Sequence, residues 1–555
     1  MPDTLGQMFS ESASNNLNRN SLGYISEDKK VKNQSYYSIL CEAEALSVSL
    51  LNNGISKGDR VAIISKNSPN WARIDLAAQL IGAVTVSLYP NASLDELSSI
   101  LNDSEAKILF YDNPLLEKVN KINSNALEQK VAFSEILDFL SIGYKKSAPV
   151  DAYDLATLCY TSGTTGEPKG VMLTHANIMH NLNELNKVNP FNNKDVHLSF
   201  LPLSHIFERT VGHYYPIFCG SNIVYSRGLE FLKEDLSIVR PTIFIGVPKV
   251  FEKIYAKIME TAESSKGLKK KLFNESICFG KEYAELLREG KMVSIFDILE
   301  YAFFDKLVYS KIRQIFGGRL RMAITGSAPI SREVMEFYDA VGITLLEGYG
   351  LTETSPIISA NTLKDRCIGS VGKALPKVRV KINPVEGHDD EGEIIVRGPN
   401  VTSGYWNKIE KSNEVLRDGW FHTGDLGRMN KDGFLYITGR IKDEFKLTNG
   451  KFVAGGNLEK YLNQIPQVLQ SVVFPSANKE YVVALIVPNG EQKDLEKLLK
   501  EEIKKQCENF APYERIMNFA ILKEPFTEQN GLATPTQKIK RNEVAKKYVD
   551  LISRL

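Results

Sequence analysis

Residues 59–112 read DRVAIISKNSPNWARIDLAAQLIGAVTVSLYPNASLDELSSILNDSEAKILFYD. In this stretch short apolar runs alternate with longer segments of helical periodicity. The predicted strands are DRVAIIS, AVTVSLYP and KILFYD, and the predicted helices between them are PNWARIDLAAQLIGA and SLDELSSILNDS. Because strands that alternate with helices build parallel sheets with helical crossovers, the sequence predicts an α/β fold.

The same alternation returns between residues 242 and 350. TIFIGVP at 242–248 predicts a strand, and RLRMAITGSAPI at 319–330 predicts a strand that runs into a loop. Ser331 is a candidate N-cap for the helix that follows, and ITLLEGYG at 343–350 predicts the next strand.

Length and composition limit the possible classes of protein. The chain has 555 residues, which is too long for one ordinary core and predicts at least two domains. Hydrophobic residues make up 43%, as in soluble globular proteins, and a net charge of +1 gives no reason to expect a nucleic acid partner. The six cysteines are scattered, which argues against a disulfide framework or a zinc site. Since the N-terminus does not resemble a secretory signal, we expect a cytoplasmic protein.

Two regions differ from this α/β pattern. Residues 264–317 are helical in pattern and locally basic, and two interpretations stay open: an insertion packed on the main domain, or a surface that meets a membrane or an apolar ligand. From Gly439 to Asp443 the sequence becomes charged and turn-rich, and about 115 residues with their own strands and helix follow. This change predicts a domain boundary.

A loop at residues 160–170, YTSGTTGEPKG, follows the strand-like segment LATLCY. Glycines allow a backbone to approach an anion closely, while hydroxyls and a lysine add donors and positive charge. The loop is not a Walker P-loop, because the spacing from Gly163 to Lys169 is wrong and Pro168 interrupts any helix before the lysine. We interpret it as a polyphosphate-binding loop; the alternative is an ordinary turn-rich surface loop. The candidate phosphate-binding residues are Thr161, Ser162, Gly163, Thr164, Thr165 and Lys169.

The longer string YTSGTTGEPKGVMLTH, at residues 160–175, resembles the signature loop of the adenylate-forming superfamily, which includes acyl-CoA synthetases, adenylation domains of nonribosomal peptide synthetases and luciferases. Further motifs of that superfamily follow in its order, and the resemblance covers almost the whole chain. These motifs are LPLSHIFER at 201–209, TGSAPI at 325–330, EGYGLTET at 347–354, WFHTGDLG at 420–427, GRIKDEFKLTNGK at 439–451 and TPTQKIKR at 534–541. The segments HIFER and TIFIGVPKVFEKIYAKI are similar to the long-chain fatty acid–CoA ligase branch.

The resemblance implies a particular domain organisation. We expect a large N-terminal domain over residues 1–440, with parallel sheets flanked by helices, a distorted β-barrel subdomain and the helical insertion at 264–317. A small, mobile α+β domain is expected over residues 441–555, with the hinge at Lys442.

The resemblance also implies a reaction in two steps. A carboxylate attacks the α-phosphate of ATP to give an acyl-adenylate and pyrophosphate, and a thiol then displaces AMP. Both nucleophiles are substrates, so the protein has to neutralise charge, orient the reactants and exclude water. By resemblance, the residues of the nucleotide site are Gly326, Ser327, Ala328, Glu347, Gly348, Tyr349, Gly350, Thr352, Asp425 and Arg440, with Glu353 as the Mg²⁺ ligand and His205 facing the carboxylate.

Lys538 matches the lysine that bridges the carboxylate and the α-phosphate during adenylation. Gln537 stands where the family often has glycine, and Lys540 and Arg541 are nearby competitors for the role. The resemblance implies that rotation about the hinge withdraws Lys538 after the first step. The same rotation brings Gly450 and Lys451 to the thiol channel.

The acid and the thiol are identified by resemblance alone. Phe244, Gly246 and Pro248 are expected to edge an apolar tunnel for a long acyl chain. CoA is the expected acceptor, and acyl carrier protein is the alternative, because its phosphopantetheine arm carries the same thiol. A luciferase-like enzyme and a catalytically silent lipid-binding protein are weaker alternatives, since the long-chain motifs and the ATP-site motifs are all present. Contact with the inner face of a membrane stays open.

Overall fold

The computed structural model describes residues 2–141, 147–162, 167–388, 390–449, 451–490, 494–527, 529–533 and 539–555. The strands are β1 Asn20–Ile25, β2 Val31–Ser35, β3 Arg60–Ile64, β4 Val84–Leu88, β5 Ile108–Tyr111, β6 Gln129–Ala132, β7 Leu155–Ser162, β8 Pro168–Thr174, β9 Val196–Ser199, β10 Asn222–Tyr225, β11 Ile243–Gly246, β12 Met322–Thr325, β13 Leu345–Gly350, β14 Ile357–Ala360, β15 Lys373–Ala374, β16 Arg379–Pro384, β17 Gly392–Arg397, β18 Leu416–Arg417, β19 Trp420–Met429, β20 Leu435–Arg440, β21 Glu444–Lys446, β22 Phe452–Ala454, β23 Val468–Pro475, β24 Val482–Pro488 and β25 Ile516–Ile521.

The helices are α1 Leu5–Asn15, α2 Tyr36–Asn52, α3 Pro69–Ile81, α4 Leu94–Ser104, α5 Leu116–Asn120, α6 Ile136–Phe139, α7 His175–Val188, α8 Tyr215–Phe218, α9 Leu232–Val239, α10 Pro248–Glu263, α11 Leu268–Arg288, α12 Ile295–Phe304, α13 Ser310–Gln314, α14 Arg332–Ala340, α15 Ile409–Val415, α16 Gly455–Leu462, α17 Leu495–Gln506, α18 Arg541–Lys547 and α19 Val549–Ser553. Side-chain caps define several of their starts. Ser331 accepts a hydrogen bond from the amide of Val334 at 3.3 Å, which confirms it as the N-cap of α14.

The chain divides into two compact units. The larger unit comprises Met1–Val380, Val396–Phe421 and Lys431–Leu435, and the smaller one comprises Lys381–Ile395, His422–Asn430 and Tyr436–Leu555. The smaller unit therefore includes two segments that precede the predicted boundary at residue 440. The domain limits and the hinge at Lys442 stay predictions.

Two mixed sheets form the centre of the larger unit. Sheet A has the strand order β15-β14-β13-β12-β11-β9-β10-β1-β2, and sheet B has the order β6-β5-β3-β4-β7-β8. The interior strands of both sheets run parallel, and antiparallel strands lie at the edges. The strands and helices predicted in residues 59–112 are β3, α3, β4, α4 and β5, which confirms the α/β fold.

The remaining strands form smaller sheets. One has the order β16-β17-β19-β18, with β20 paired to β19, and another is the β21–β22 hairpin. In the smaller unit, β24 lies between antiparallel β23 and parallel β25. Val473, Val483 and Leu485 are among the fully buried side chains of this small sheet.

The insertion at residues 264–317 is helical and packs on the larger unit. Phe304, Tyr309 and Phe316 are buried in the apolar core around β11, β12 and α14. The insertion therefore packs on the larger unit through these side chains, and the interpretation of its exposed face stays open.

A buried charge pair joins sheet B to the segment that follows β9 of sheet A. Asp75 on α3 binds Arg209 in the π-helical segment Glu208–Tyr214, and neither side chain is exposed to solvent. Arg209 Nη1 also donates to Thr157 Oγ1 on β7 at 2.8 Å, and the hydroxyl of Tyr214 donates to Asp75 Oδ2 at 2.7 Å. The pair thus fixes the strand that leads into the 160–170 loop.

We expect that Arg209→Met lowers the free energy of unfolding of the larger unit by about 3–5 kcal/mol, because it leaves the Asp75 carboxylate buried and unpaired. All three tryptophans lie in the larger unit, so tryptophan fluorescence during urea denaturation reports on that unit. Lys257→Met, which breaks an exposed pair with Glu260, is the matched control and should leave the curve unchanged. Identical denaturation curves for Arg209→Met and Lys257→Met would contradict a stabilising role of the buried pair.

Candidate active site

The carboxyl ends of neighbouring parallel strands in sheet A bring four predicted motifs to one edge. Gly246 at the end of β11 pairs with Thr325 at the end of β12, which in turn pairs with Glu347 on β13. The loop that carries His205 follows β9, the other neighbour of β11. In open α/β sheets, ligands bind outside the carboxyl ends of the strands, so this edge is the candidate site.

The loops at this edge contact one another. A Cβ atom placed on Gly326 would lie 3.2 Å from the carbonyl oxygen of Gly348 and 3.4 Å from the ring of Phe207. Glu347 is buried, and its carboxylate accepts from the amide of Ile330 at 3.4 Å. The TGSAPI loop, the EGYG strand and the His205 loop therefore form one continuous surface.

Backbone conformation restricts two positions of this surface. Ser327, exposed together with Ala328, has a φ of 69°, in the left-handed region that non-glycine residues seldom adopt. Gly350 packs so closely on the next segment that a Cβ atom would lie 1.7 Å from the carbonyl oxygen of Pro356. Glycine at position 350 is therefore required by contact, and Tyr349 before it pairs in register with Ser359.

The surroundings of His205 favour the neutral imidazole. The amide of Phe207 donates to His205 Nδ1 at 3.2 Å, so the ring proton resides on Nε2. Burial disfavours the imidazolium and lowers the pKa of His205 to about 4. At neutral pH the side chain therefore offers an N–H group and no charge.

The described ends of the predicted phosphate loop belong to the paired strands β7 and β8. Thr161 pairs in register with Lys169, and Ser162 pairs with Pro168. Gly163, Thr164 and Thr165 lie outside the described residues. The hairpin therefore holds Thr161 and Lys169 side by side at the two ends of the loop.

Residues 402–406, which we call the bridge segment, connect this hairpin to Glu353. The amide of Trp406 donates to the carbonyl of Gly170 at 2.8 Å, and the amide of Thr402 donates to the carbonyl of Glu353 at 2.8 Å. The bridge segment thus sets the distance between the phosphate loop and the short turn Thr352–Thr354.

Tyr405 in the bridge segment contacts both charged residues of the predicted site. Its hydroxyl donates to Glu353 Oε1 at 2.8 Å, and Lys169 Nζ lies 5.2 Å from the centre of its ring. Burial and the Glu353 carboxylate raise the pKa of Tyr405, so the phenol keeps its proton. Sequence reasoning missed Tyr405, because no spacing rule relates residue 405 to 169 or 353; its signal was only the aromatic pair after Gly404.

The residues expected to edge an acyl tunnel lie at the same edge of sheet A. Phe244 is fully buried and stacks on Phe200, with ring centroids 5.3 Å apart. Gly246 ends β11 close to the ring of Phe251, and Pro248 begins α10. Phe244 is thus a core residue of the strand, and its contact with an acyl chain stays a prediction.

The remaining predicted site residues belong to the smaller unit. Asp425 is buried on β19 and pairs with Arg440 at 2.7 Å. Lys451 lies in the tight turn between β21 and β22, where its amide donates to Asn449 Oδ1 at 3.0 Å. Gly450 and Lys538 lie outside the described residues.

Comparison with protein families accounts for both parts of the chain. Residues 9–406 match the model described as "AMP-binding enzyme", and residues 442–555 match the model described as "AMP-binding enzyme C-terminal domain". The chain belongs to the AMP-binding enzyme family.

Two relatives are similar to this chain over most of their length. The chain is 33% identical to long-chain-fatty-acid–CoA ligase FadD15 of Mycobacterium bovis, over 91% of this chain and 89% of the relative. It is 31% identical to long-chain-fatty-acid–CoA ligase 5 of Rattus norvegicus, over 100% of this chain and 88% of the relative. The crystal structure of ATP-bound MatB from Rhodopseudomonas palustris has the same fold, with a TM-score of 0.76, 24% identity, and 99% and 100% of the two chains covered. Among the described helices, none is both long and apolar enough to cross a membrane.

The lowered pKa of His205 predicts how this residue titrates. Between pH 6.5 and about 4 the unfolded chain binds a proton at this position and the folded chain does not, so this contribution to stability falls as the pH falls. The free energy of unfolding of the unmodified protein should fall between pH 6.5 and 5. We expect this fall to be smaller in His205→Gln, by at most about 2 kcal/mol. In an NMR titration, the His205 ring resonances should stay constant from pH 8 to about 5.5. A midpoint near 6.5 would contradict the neutral assignment.

Proposed function

We propose that this member of the AMP-binding family joins a long-chain fatty acid to CoA through an acyl-adenylate. A carboxylate oxygen attacks the α-phosphorus of ATP and pyrophosphate leaves; the CoA sulfur then attacks the acyl carbon, loses its proton, and AMP leaves. The observation that carries the proposal is the similarity, over nearly the whole chain, to proteins named long-chain-fatty-acid–CoA ligases. The contact of Lys169 and Glu353 with one tyrosine supports it.

We propose that the β7–β8 loop and Lys169 bind the phosphates, and that Glu353 would hold Mg²⁺. Magnesium in nucleotide sites is bound by one or two carboxylates together with substrate phosphates, and a single, partly exposed carboxylate fits this pattern. When bound, the ion neutralises phosphate charge. Thr352, beside Glu353, donates to the α-phosphate in this proposal, and Tyr405 orients the Glu353 carboxylate.

For the nucleoside, we propose that the ring of Tyr349 stacks on adenine and that the backbone of residues 326–328 lines the base. The proposed contacts of the ribose are Asp425 and Arg440. His205 donates its Nε2–H to the fatty acid carboxylate or to the leaving pyrophosphate. A neutral N–H group at this position can donate a hydrogen bond to an anionic substrate without forming an ion pair with it.

Lys538 is the proposed bridge between the carboxylate and the α-phosphate, two anions that otherwise repel each other. We propose that rotation about Lys442 brings Lys538 to the site for the first step and replaces it with Gly450 and Lys451 for the second. An acyl tunnel edged by Phe244, Gly246 and Pro248 would add about 0.8 kcal/mol of binding per buried methylene. We further propose that the protein works in the cytoplasm at the inner face of a membrane, where long-chain acids partition.

Product analysis tests the proposed reaction. Purified protein with palmitate, Mg-ATP and CoA should form AMP, pyrophosphate and palmitoyl-CoA in equal amounts. A parallel reaction with holo-acyl carrier protein in place of CoA should form little thioester. Formation of ADP, or failure to form a thioester with any C8–C20 acid, would overturn the proposal.

Lys538→Ala and Lys540→Ala form a matched pair of control variants for this reaction. We expect Lys538→Ala to slow adenylation by about 10²–10³-fold, as loss of a charge-stabilising donor does, and Lys540→Ala to leave it near normal. Thioester formation from supplied palmitoyl-adenylate should survive in both variants. An equal loss of both steps in Lys538→Ala would contradict the proposed hinge.

Tyr405→Phe tests the orientation of Glu353. The variant removes the hydrogen bond to Glu353 and keeps the ring beside Lys169, so the Kd of ATP in the presence of Mg²⁺ should rise about tenfold, as for other partners of metal-binding carboxylates. The Kd without Mg²⁺ should stay nearly constant; calorimetry measures both. Tyr160→Phe is the control, because it removes a 2.6 Å hydrogen bond from β7 of the same hairpin to Asp103 on α4. Equal Kd values for both variants would disprove this role.

A further inference from the structure

The helical insertion leaves a row of large apolar side chains exposed. On α12, Phe296, Leu299 and Phe303 are 76%, 61% and 56% exposed, and their spacing of three and four residues places them on one face of the helix. Ile295 on the same helix, Met292 before it and Leu287 at the end of α11 are also exposed. We call these six residues the α12 face.

The opposite side of α12 is firmly packed. Tyr301 stacks on Tyr283 of α11 with ring centroids 4.5 Å apart, and Phe304 is buried against Phe279 at 5.6 Å. The start of the helix is fixed by Ser294, which accepts from the amide of Asp297 at 3.1 Å. The orientation of the α12 face is therefore set by packing on α11.

Scattered exposed apolar residues are ordinary, but a contiguous group of this kind marks a surface that another body covers. A second copy of the chain fits poorly: a stable protein interface takes about 20–30 residues from each side, and the α12 face offers six, of which four lie on α12. A bilayer needs no such matching surface. It accepts a single helix that lies in the headgroup region with its apolar side down.

The charges around α12 are mixed and do not select an anionic surface. Residues 289–306 contain two lysines and four acidic residues, and Lys291 pairs with Glu289 at 2.5 Å. Lys306 follows the helix, and its stem can lie along apolar groups while the ammonium reaches a lipid phosphate. Binding therefore has to rely on the apolar side chains.

We propose that the α12 face is a membrane-docking surface that inserts into the headgroup region of a phospholipid bilayer. The proposal rests on the membrane location proposed above and gives it a surface; it does not depend on the ligase chemistry. For a long-chain acid, docking at this face would place the larger unit where the acid partitions.

Vesicle binding by the full chain tests this proposal. The triple variant Phe296→Ala, Leu299→Ala, Phe303→Ala should bind vesicles of phosphatidylcholine with 30% phosphatidylglycerol (about one lipid in three) at least about tenfold more weakly than the unmodified protein in sedimentation assays. The matched control is Leu137→Ala, Tyr153→Ala, Leu229→Ala, which removes three side chains of comparable exposure elsewhere and should bind normally. Equal binding by the two triple variants would overturn the proposal.

A conservative variant keeps the test valid if the triple variant misfolds. Phe296→Trp should shift its fluorescence to shorter wavelength on vesicles and be quenched by brominated lipid, whereas Leu137→Trp should do neither. No response from Phe296→Trp, or a dimer in sedimentation velocity that only the α12 triple variant abolishes, would assign the face to another partner. Octanoyl-CoA formation, measured without vesicles, reports on the proposed ligase activity alone. A failure of docking can therefore be told apart from a failure of that activity.

Discussion

The buried pair of Asp75 and Arg209 is the constraint on which the larger unit depends. It binds the α3 crossover of sheet B to the segment that follows β9 of sheet A, and through Thr157 it also holds β7. A charge pair without solvent stabilises only when both partners are present and their other hydrogen-bonding groups are satisfied. The hydroxyls of Tyr214 and Thr157 make those hydrogen bonds, so the pair favours one relative placement of the two sheets.

That placement determines the site. The phosphate loop belongs to sheet B, whereas His205, the TGSAPI loop and Glu353 follow strands of sheet A. The bridge segment then joins the two sides, since Tyr405 contacts both Lys169 and Glu353. In the proposed site, a cation and a carboxylate that would flank one triphosphate are thus held by two sheets and one tyrosine.

Much of this could be predicted from local sequence. Alternating periodicity specified β3, α3, β4, α4 and β5, because each element buries a face that its own spacing defines. Tyr405 and the Asp75–Arg209 pair could not be predicted, since both depend on contacts between residues far apart in sequence. The smaller unit shows the same limit: its segments at 381–395 and 422–430 precede the charged, turn-rich stretch that marks a boundary in the sequence.

We propose that ATP binds at the carboxyl edge of sheet A, between the phosphate loop and Glu353. A crystal structure of the protein with Mg²⁺ and a non-hydrolysable ATP analogue would locate the nucleotide. We expect a metal about 2.0–2.1 Å from a Glu353 oxygen and phosphate oxygens within hydrogen-bonding distance of Thr161 and Lys169. A nucleotide bound away from both residues, with Glu353 still held only by Tyr405, would contradict it.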